Sequence, residues 1–276
     1  MVRACIVTDT SVQFTQPIVL LEKIIFQLPL WGNSDLLNSE SKRESSETGR
    51  SGFQSPSDVE INHLFSNLSQ KFSDILVITL SSALSDLSAI VEKVIHKNGD
   101  DGHIQVIDSH TTSVGLGLLV QMAANMILQG ASPGEIEHQL RISVPHIYSI
   151  FCLPDLSYLV ADNFLSNSQA IVGEMLDLLP IFSLEGDCLT ALQKVRTQRH
   201  LLETFQEFVD EFTDPAYIAL IKNGSQLKAP PFRDYVANTF PGTRYSEHQL
   251  GNPLIELLGP HSVGLIVMDG HSEGLI

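Results

Sequence analysis

The sequence is poor in cysteine and has no long apolar run. Its three cysteines, Cys5, Cys152 and Cys188, are far apart among 276 residues. This spacing fits neither a disulfide framework nor a zinc site, and it favours a reducing compartment. No apolar run approaches the ~18 residues of a membrane-spanning helix, and the apolar stretch at the start is too short for a signal peptide. We therefore expect a cytoplasmic protein without stable membrane insertion.

Basic residues are also scarce. The chain has 16 Lys and Arg against 32 Asp and Glu, a formal net charge of -16. Such a field repels phosphate backbones and anionic lipid surfaces, which argues against binding to nucleic acid. Hydrophobic residues make up 43% of the chain, a proportion typical of globular proteins. Its length allows one large domain or two ordinary ones with real cores.

The first half of the chain repeats one pattern: a short apolar strand, a polar junction and an amphipathic helix. The strands lie in ACIVTDTS, SDILVITLSS and GHIQVIDSHTTS, and helices are predicted over 84–96 and 114–128. Ser57 with Glu60 and Ser132 with Glu135 form capping boxes that open two further helices. Strands alternating with helices predict an α/β domain over residues 1–150, with a parallel sheet flanked by helices.

From about Pro145 the pattern changes to one typical of α+β structure. HIYSIFCL, AYIALIKNG and a hairpin in PIFSLEGDCLTAL read as strands, with helices between them. We therefore predict a second, α+β domain over residues 151–276. The Ser- and Glu-rich segment 33–54 interrupts the first domain, and both a surface loop and a lid over a site fit its composition.

Short hydroxyl side chains are concentrated where the predicted strands end. In a parallel sheet the carboxyl ends share one edge, and ligands bind in the crevice beside it. The residues at this edge are Asp9, Thr10, Ser11, Ser81, Ser82, Ser85, Asp108, Ser109, Thr112 and Ser113. Each can simply cap a helix. The set as a whole, beside helix N-termini and without Lys or Arg, favours binding of a singly charged carboxylate.

Catalytic and cofactor motifs are missing. There is no G-x-S-x-G elbow, and VGLGLL holds only two of the three glycines of a dinucleotide-binding loop. The ten histidines show no paired metal spacing, so we predict no metal site and no cofactor. His261 lies in the apolar stretch LLGPHSVGLIVMD. It is either a packing residue or an imidazolium that neutralises a carboxylate.

The order of these motifs resembles that of the DegV family of bacterial fatty-acid-binding proteins over essentially the whole chain. IVTDTSVQF is similar to the family's opening strand and Asp-Ser-Thr turn, and QSPSDVEINHLF to its Thr-Ser-Gln-Pro-Ser segment. ITLSSALS matches the Ser-Ser-x-Leu-Ser part of a family motif. VIDSHTTSVGLGLLVQMAANMILQGAS, LPIFSLEGDCLTALQKVRTQ and LLGPHSVG follow at the family's spacing. The resemblance implies a two-domain DegV-like fold.

The resemblance also implies a function. In this family a long-chain fatty acid lies in an apolar tunnel between the two domains, and a separate kinase subunit phosphorylates its carboxylate. By resemblance, Ser85 binds the carboxylate and His261 lies close to it. The chain is then a non-enzymatic carrier, with a fatty acid as ligand and a fatty acid kinase subunit as partner.

Several head-group positions depart from the family pattern. The family's Thr and Ser fall on Phe53 and Gln54, where Gln54 or Ser55 can supply a replacement donor. A Gly becomes Asp86, which brings a negative charge towards the proposed carboxylate. The family's Arg becomes Phe164. Thr10, Ser11, Ser82 and Ser113 complete the possible pocket residues.

Two other functions compete with the carrier. A diverged DegV-like protein would bind another small apolar acid, or act as an interaction module. A phosphotransfer enzyme, suggested by the fold's relation to domains of dihydroxyacetone kinases and sugar phosphotransferase systems, would need a His or Asp that accepts phosphate. We rank the carrier first, the diverged protein second and the enzyme third.

Overall fold

A computed structural model describes residues 4–19, 21–31, 55–99, 102–161, 165–186, 188–223 and 227–270. The whole segment 33–54, with the predicted site positions Phe53 and Gln54, lies outside the described residues, and so does the predicted site position Phe164.

The first sheet is parallel, as the strand and helix alternation predicts. Its strands are β1 (Ala4–Asp9), β2 (Ile25–Leu28), β3 (Asp74–Thr79) and β4 (Ile104–Asp108). They lie in the order β2-β1-β3-β4, and each neighbouring pair is parallel. All six residues of β1 are buried, which is typical of a parallel strand whose two faces are both covered.

Helices accompany this sheet. They are α1 (Asp58–Ser69), α2 (Leu87–Asn98), α3 (Ser113–Gln129) and α4 (Pro133–Ser143). The predicted capping boxes open α1 and α4: Ser57 and Ser132 each accept from the N–H three residues on, and the Glu there bonds back. Gly130 ends α3 with φ of 87°, the left-handed conformation that glycine adopts readily.

The predicted start of α2 at residue 84 is wrong, because the helix begins at Leu87. The carbonyl oxygen of Ser81 accepts from the N–H of Leu84 at 2.9 Å and from that of Ser85 at 3.2 Å. These bonds form a separate turn before the helix. Leu84 is buried in this turn, so it extends the apolar pattern of the helix without being part of it.

The second sheet is mixed and mostly antiparallel. Its strands are β5 (Ile147–Cys152), β6 (Leu179–Glu185), β7 (Cys188–Val195), β8 (Pro215–Lys222), β9 (Arg244–His248) and β10 (Val263–Asp269). The order is β7-β6-β5-β10-β8-β9, and β8 pairs with β9 in parallel. The helices of this half are α5 (Leu156–Ala161), α6 (Asn167–Met175), α7 (Gln198–Asp210), α8 (Ala229–Thr239) and α9 (Asn252–Leu258).

Helix α3 lies between the two sheets. It contacts β1 and β3 of the first sheet and β10 of the second, and most of its residues are buried. A Cβ atom at Gly117 would overlap the backbone carbonyl of Gln13, and one at Gly115 would overlap the side chain of Thr111. The glycines of VGLGLL therefore permit close packing of this helix against its neighbours.

Helices α7 and α8 cover the face of the second sheet that is opposite to α3. The core there includes Leu201, Phe205 and Val209 of α7, and Phe232 and Val236 of α8. The first sheet ends at Asp108 and the second begins at Ile147, so β5 crosses the predicted boundary at residue 150, and the boundary itself stays a prediction. Among the described residues, no helix is long and apolar enough to cross a bilayer.

Candidate functional site

The carboxyl ends of β1, β3 and β4 meet at one edge of the parallel sheet, where carboxylates tie the junctions together. Oδ2 of Asp9 accepts from the N–H of Leu80, in the junction after β3, at 2.7 Å. Oδ2 of Asp108 accepts from the N–H of Ser82, in the same junction, at 3.0 Å. The junction after β3 is therefore held from both neighbouring strands.

Asp9 has a structural role at this edge. Its side chain is fully buried, and its Oδ1 accepts from the N–H of Ser11 at 2.9 Å. Burial raises the pKa of the Asp9 carboxyl, and the hydrogen bonds from Ser11 and Leu80 act in the opposite direction. Because both of its oxygens accept backbone bonds, we assign Asp9 to positioning the loops.

Several predicted hydroxyl residues are bonded within the fold. Thr10 Oγ1 accepts from the backbone N–H of Leu30 at 2.9 Å. The hydroxyl of Thr112 donates to Ser11 Oγ at 3.2 Å. The hydroxyl of Ser113 donates to the side-chain oxygen of Gln13. In this conformation Thr10, Ser11 and Ser113 thus contact protein groups.

Two residues in the left-handed region lie where β4 leads into α3, one in the junction and one at the first position of the helix. His110 has φ of 50° and Ser113 has φ of 52°. The N–H of His110 donates to Oδ1 of Asp108 at 2.9 Å, which holds one of them in place. Such strain persists only where the surroundings impose it, and it is concentrated at functional sites.

Ser85 differs from the other strand-end hydroxyls. It is 2% exposed and precedes α2, where its Oγ accepts from the N–H of Leu87 at 3.3 Å. Its hydroxyl hydrogen has no acceptor among the described residues. A buried O–H donor at a helix N-terminus is suited to a carboxylate oxygen, since the helix dipole favours negative charge there.

Three further residues of the predicted site are half-buried. Asp86 is the N-cap of α2 and half-buried, and its side chain makes no capping hydrogen bond. Ser82 is half-buried in the preceding turn. Ser55 is half-buried and lies just before the N-cap of α1.

His261 lies in the turn between α9 and β10, with its side chain 55% exposed. Nδ1 of its ring is 2.9 Å from Oδ2 of Asp155, and its backbone N–H donates to the same oxygen at 3.1 Å. The Asp155 contact fixes the ring and leaves Nε2 as the atom that can face a ligand. The partners are 106 residues apart, so no local sequence pattern indicates the pair.

Some predicted residues are not brought together. Within the described part of the chain, no hydrogen bond joins Ser85 to His261. The described residues line pockets of about 140 and 540 Å³, and neither of these two is lined by Ser85 or His261. The tunnel between the domains stays a prediction. Among the described residues, no cluster of three or more His, Cys, Asp or Glu side chains could hold a metal ion.

Most of the chain matches the model of one protein family. The model of the DegV family, described as uncharacterised, matches residues 40–269. The chain belongs to the DegV family. A DegV domain-containing protein of Caldanaerobacter subterraneus subsp. tengcongensis is 33% identical over 156 residues, which cover 55% of this chain and 54% of that protein. The chain thus matches about half the length of this relative.

Solved structures share the fold over almost the full chain. A fatty acid binding DegV family protein from Streptococcus agalactiae has a TM-score of 0.79 at 21% identity, covering 98% of this chain and 99% of that one. The fatty acid kinase B3 protein of Streptococcus pneumoniae, loaded with linoleic acid, has a TM-score of 0.75 at 16% identity, covering 96% and 99%. At these identities the likeness establishes the α/β fold with its two sheets.

Proposed function

We propose that this DegV protein binds a long-chain fatty acid and that Ser85 donates a hydrogen bond to its carboxylate. The observation that carries the proposal is the buried Ser85 hydroxyl, whose hydrogen has no acceptor among the described residues at the N-terminus of α2. A hydrogen bond to a charged oxygen is stronger than one between neutral groups. The fatty acids of the S. agalactiae and S. pneumoniae proteins support this ligand class.

The other head-group contacts follow from the same assignment. His261, oriented by Asp155, is proposed to approach the carboxylate through Nε2. Gln54 and Ser55 are proposed to supply donors in place of the usual hydroxyls, with Phe53 and Phe164 lining the site. Asp86 opposes binding, because a like charge near the ligand disfavours its ionised form.

The proposed role is that of a carrier. The acyl chain would lie between domains 1–150 and 151–276, while its carboxylate is presented to a separate kinase subunit. The name of the S. pneumoniae protein supports a kinase partner. The chain would then perform no chemistry itself and would act without a cofactor. Its three free cysteines favour the cytoplasm as the compartment.

The first test is mass spectrometry of the small molecules released when freshly purified protein is denatured. We expect about one long-chain fatty acid per chain. If none is released, and none binds after incubation with saturated and unsaturated acids of several lengths, the carrier proposal is wrong. A diverged DegV-like binding or interaction protein then takes its place.

Substitutions test the head-group assignment. Ser85→Ala is expected to weaken fatty-acid binding by roughly 1.5–3 kcal/mol, since a hydrogen bond to a charged group is lost. Ser88→Ala, the same change one turn on within α2, is the matched control and should leave affinity unchanged. Asp86→Asn should strengthen binding. A general folding defect would weaken binding in every variant. Weaker binding in Ser85→Ala together with stronger binding in Asp86→Asn would therefore indicate direct effects on the head-group site.

A further inference from the structure

The larger pocket, of about 540 Å³, lies mainly on the face of the second sheet that is turned away from the first. Ile150 of β5 lines it and belongs to the core under α7 together with Phe205. Ser149, the preceding residue of the same strand, also lines the pocket, and its Oγ is 2.9 Å from Thr111 Oγ1 at the strand-end edge. None of the proposed head-group residues lines this pocket, and Ser149 lies between the pocket and the strand-end edge.

Three aromatic rings form one side of this pocket. The rings of Tyr148 and Phe212 have centroids 4.9 Å apart at an interplanar angle of 59°. Phe208 and Phe212 are 5.5 Å apart at 75°, an edge-to-face arrangement. Tyr148 is 40% exposed, and the two Phe side chains are half-buried. Ring faces are thus available to a ligand, and they attract cations.

The charges at the pocket have one sign. Its lining includes Glu185, Glu211 and Asp269, and it contains no Lys, Arg or His. Glu185 and Glu211 are exposed, and the described residues provide neither with an ion-pair partner. The net charge of the whole chain, -16, also favours a cationic ligand over an anionic one. Aromatic faces beside carboxylates select a cation and reject an anion.

A buried hydroxyl completes the lining. Ser183 is 4% exposed, and among the described residues its hydroxyl has one acceptor, the carbonyl oxygen of Thr190 at 3.5 Å. This separation is longer than the 2.5–3.0 Å of an ordinary O–H···O hydrogen bond. Leaving a buried hydroxyl without a good partner is costly, so a ligand with its own hydroxyl would gain from pairing with Ser183.

We propose that this pocket binds a small alkylammonium alcohol of the choline type. The methylated nitrogen lies against the rings of Tyr148, Phe208 and Phe212. Glu185 and Glu211 balance its charge, and its hydroxyl pairs with Ser183. A phosphorylated form of the same alcohol is disfavoured, because its phosphate would meet the carboxylates. This site is independent of fatty-acid binding, since it shares none of the proposed head-group residues.

Isothermal titration calorimetry with choline chloride tests the proposal. We expect saturable binding at one site per chain, and binding at least about tenfold weaker for the uncharged isostere in which carbon replaces the quaternary nitrogen. Phosphocholine should also bind at least tenfold more weakly. Absence of choline binding, or equal binding of the isostere, overturns the proposal. Preference for phosphocholine would reassign the pocket to a lipid head group and would equally overturn the free-cation assignment.

Two variants locate the binding site. Phe212→Leu removes one ring face and Glu211→Gln removes one charge, and each should weaken choline binding about tenfold. Glu207→Gln, one turn earlier on α7 and outside the pocket, is the control and should bind like wild type. Glu211 is exposed, so its variant remains informative if Phe212→Leu fails to fold. Wild-type affinity in Glu211→Gln would overturn the assignment. Fatty-acid content, measured in parallel, should be unaffected in all three.

Discussion

The carboxylate of Asp155 accepts two hydrogen bonds from His261, one from the backbone N–H at 3.1 Å and one from ring Nδ1 at 2.9 Å. A carboxylate that holds both the backbone and the ring of a histidine fixes the ring orientation and its tautomer. Asp155 is therefore a positioning residue for His261. It belongs to the loop that follows β5, whereas His261 precedes β10, which pairs with β5.

Asp155→Ala should weaken fatty-acid binding without removing a direct contact to the ligand. The imidazole of His261 would lose its fixed orientation, and the turn would lose a hydrogen bond at its backbone. Because the pair is partly exposed, we expect a loss of only about 1 kcal/mol in the free energy of unfolding. Titration with a fatty acid and urea denaturation measure the two effects. Unchanged lipid affinity would mean that His261 does not need this partner, or is not in the site.

Gly259→Ala should destabilise the protein by roughly 1–3 kcal/mol. Gly259 has φ of 92° and ψ of 153°, a conformation almost restricted to glycine. A Cβ atom there would also lie 2.8 Å from both Cβ and Oδ2 of Asp155. Gly134→Ala is the matched control, because nothing lies within 4 Å of its added Cβ, and it should be neutral or slightly stabilising. Equal stabilities of the two variants in urea denaturation would contradict the strain argument.

The stability of the protein should depend on the ionisation of Asp9. Burial raises the pKa of this carboxyl in the folded chain, so the fold binds the proton more tightly than the unfolded chain does. Asp9 therefore contributes most to the free energy of unfolding below the pKa of the unfolded chain, about 4. This contribution is lost as the pH rises through the raised pKa of the folded chain. Asp9→Asn cannot ionise, so the excess stability of wild type over this variant should fall with rising pH. Denaturation curves from about pH 3 to pH 8 measure the difference. A difference that stays constant would contradict the raised pKa.

The sequence predicts β1, β3 and β4 of the parallel sheet and misses β2. β1 and β3 are apolar runs buried on both faces, a pattern that can be recognised without knowledge of tertiary contacts. Two other elements that it misses, β9 and α9, lack such a pattern. β9 has the sequence RYSEH and is mostly exposed or half-buried at the sheet edge. α9 has only seven residues, too few for helical periodicity to be recognised.

The candidate site is predicted less completely than the fold. The position of a strand-end hydroxyl follows from the order of the elements, which is why Ser85 and Ser82 can be selected from the sequence. Whether a hydroxyl is already bonded depends on contacts between distant segments, such as that of Ser113 with Gln13. For the same reason, the pairing of His261 with Asp155 could not be foreseen.

Only Cys188 should react with a thiol reagent while the protein is folded. Cys5 is 0% and Cys152 is 1% exposed, and burial raises the pKa of each thiol to about 12. Because the thiolate is the reactive form, neither should be alkylated by a maleimide at neutral pH. Cys188 is exposed at the start of β7. Intact-mass spectrometry should therefore find one adduct under native conditions and three after denaturation, one for each cysteine of the chain. The Cys188→Ser variant should show none in the folded state. An adduct on that variant would mean that β1 or β5 opens on the timescale of labelling, because the buried thiols have no other route to the reagent.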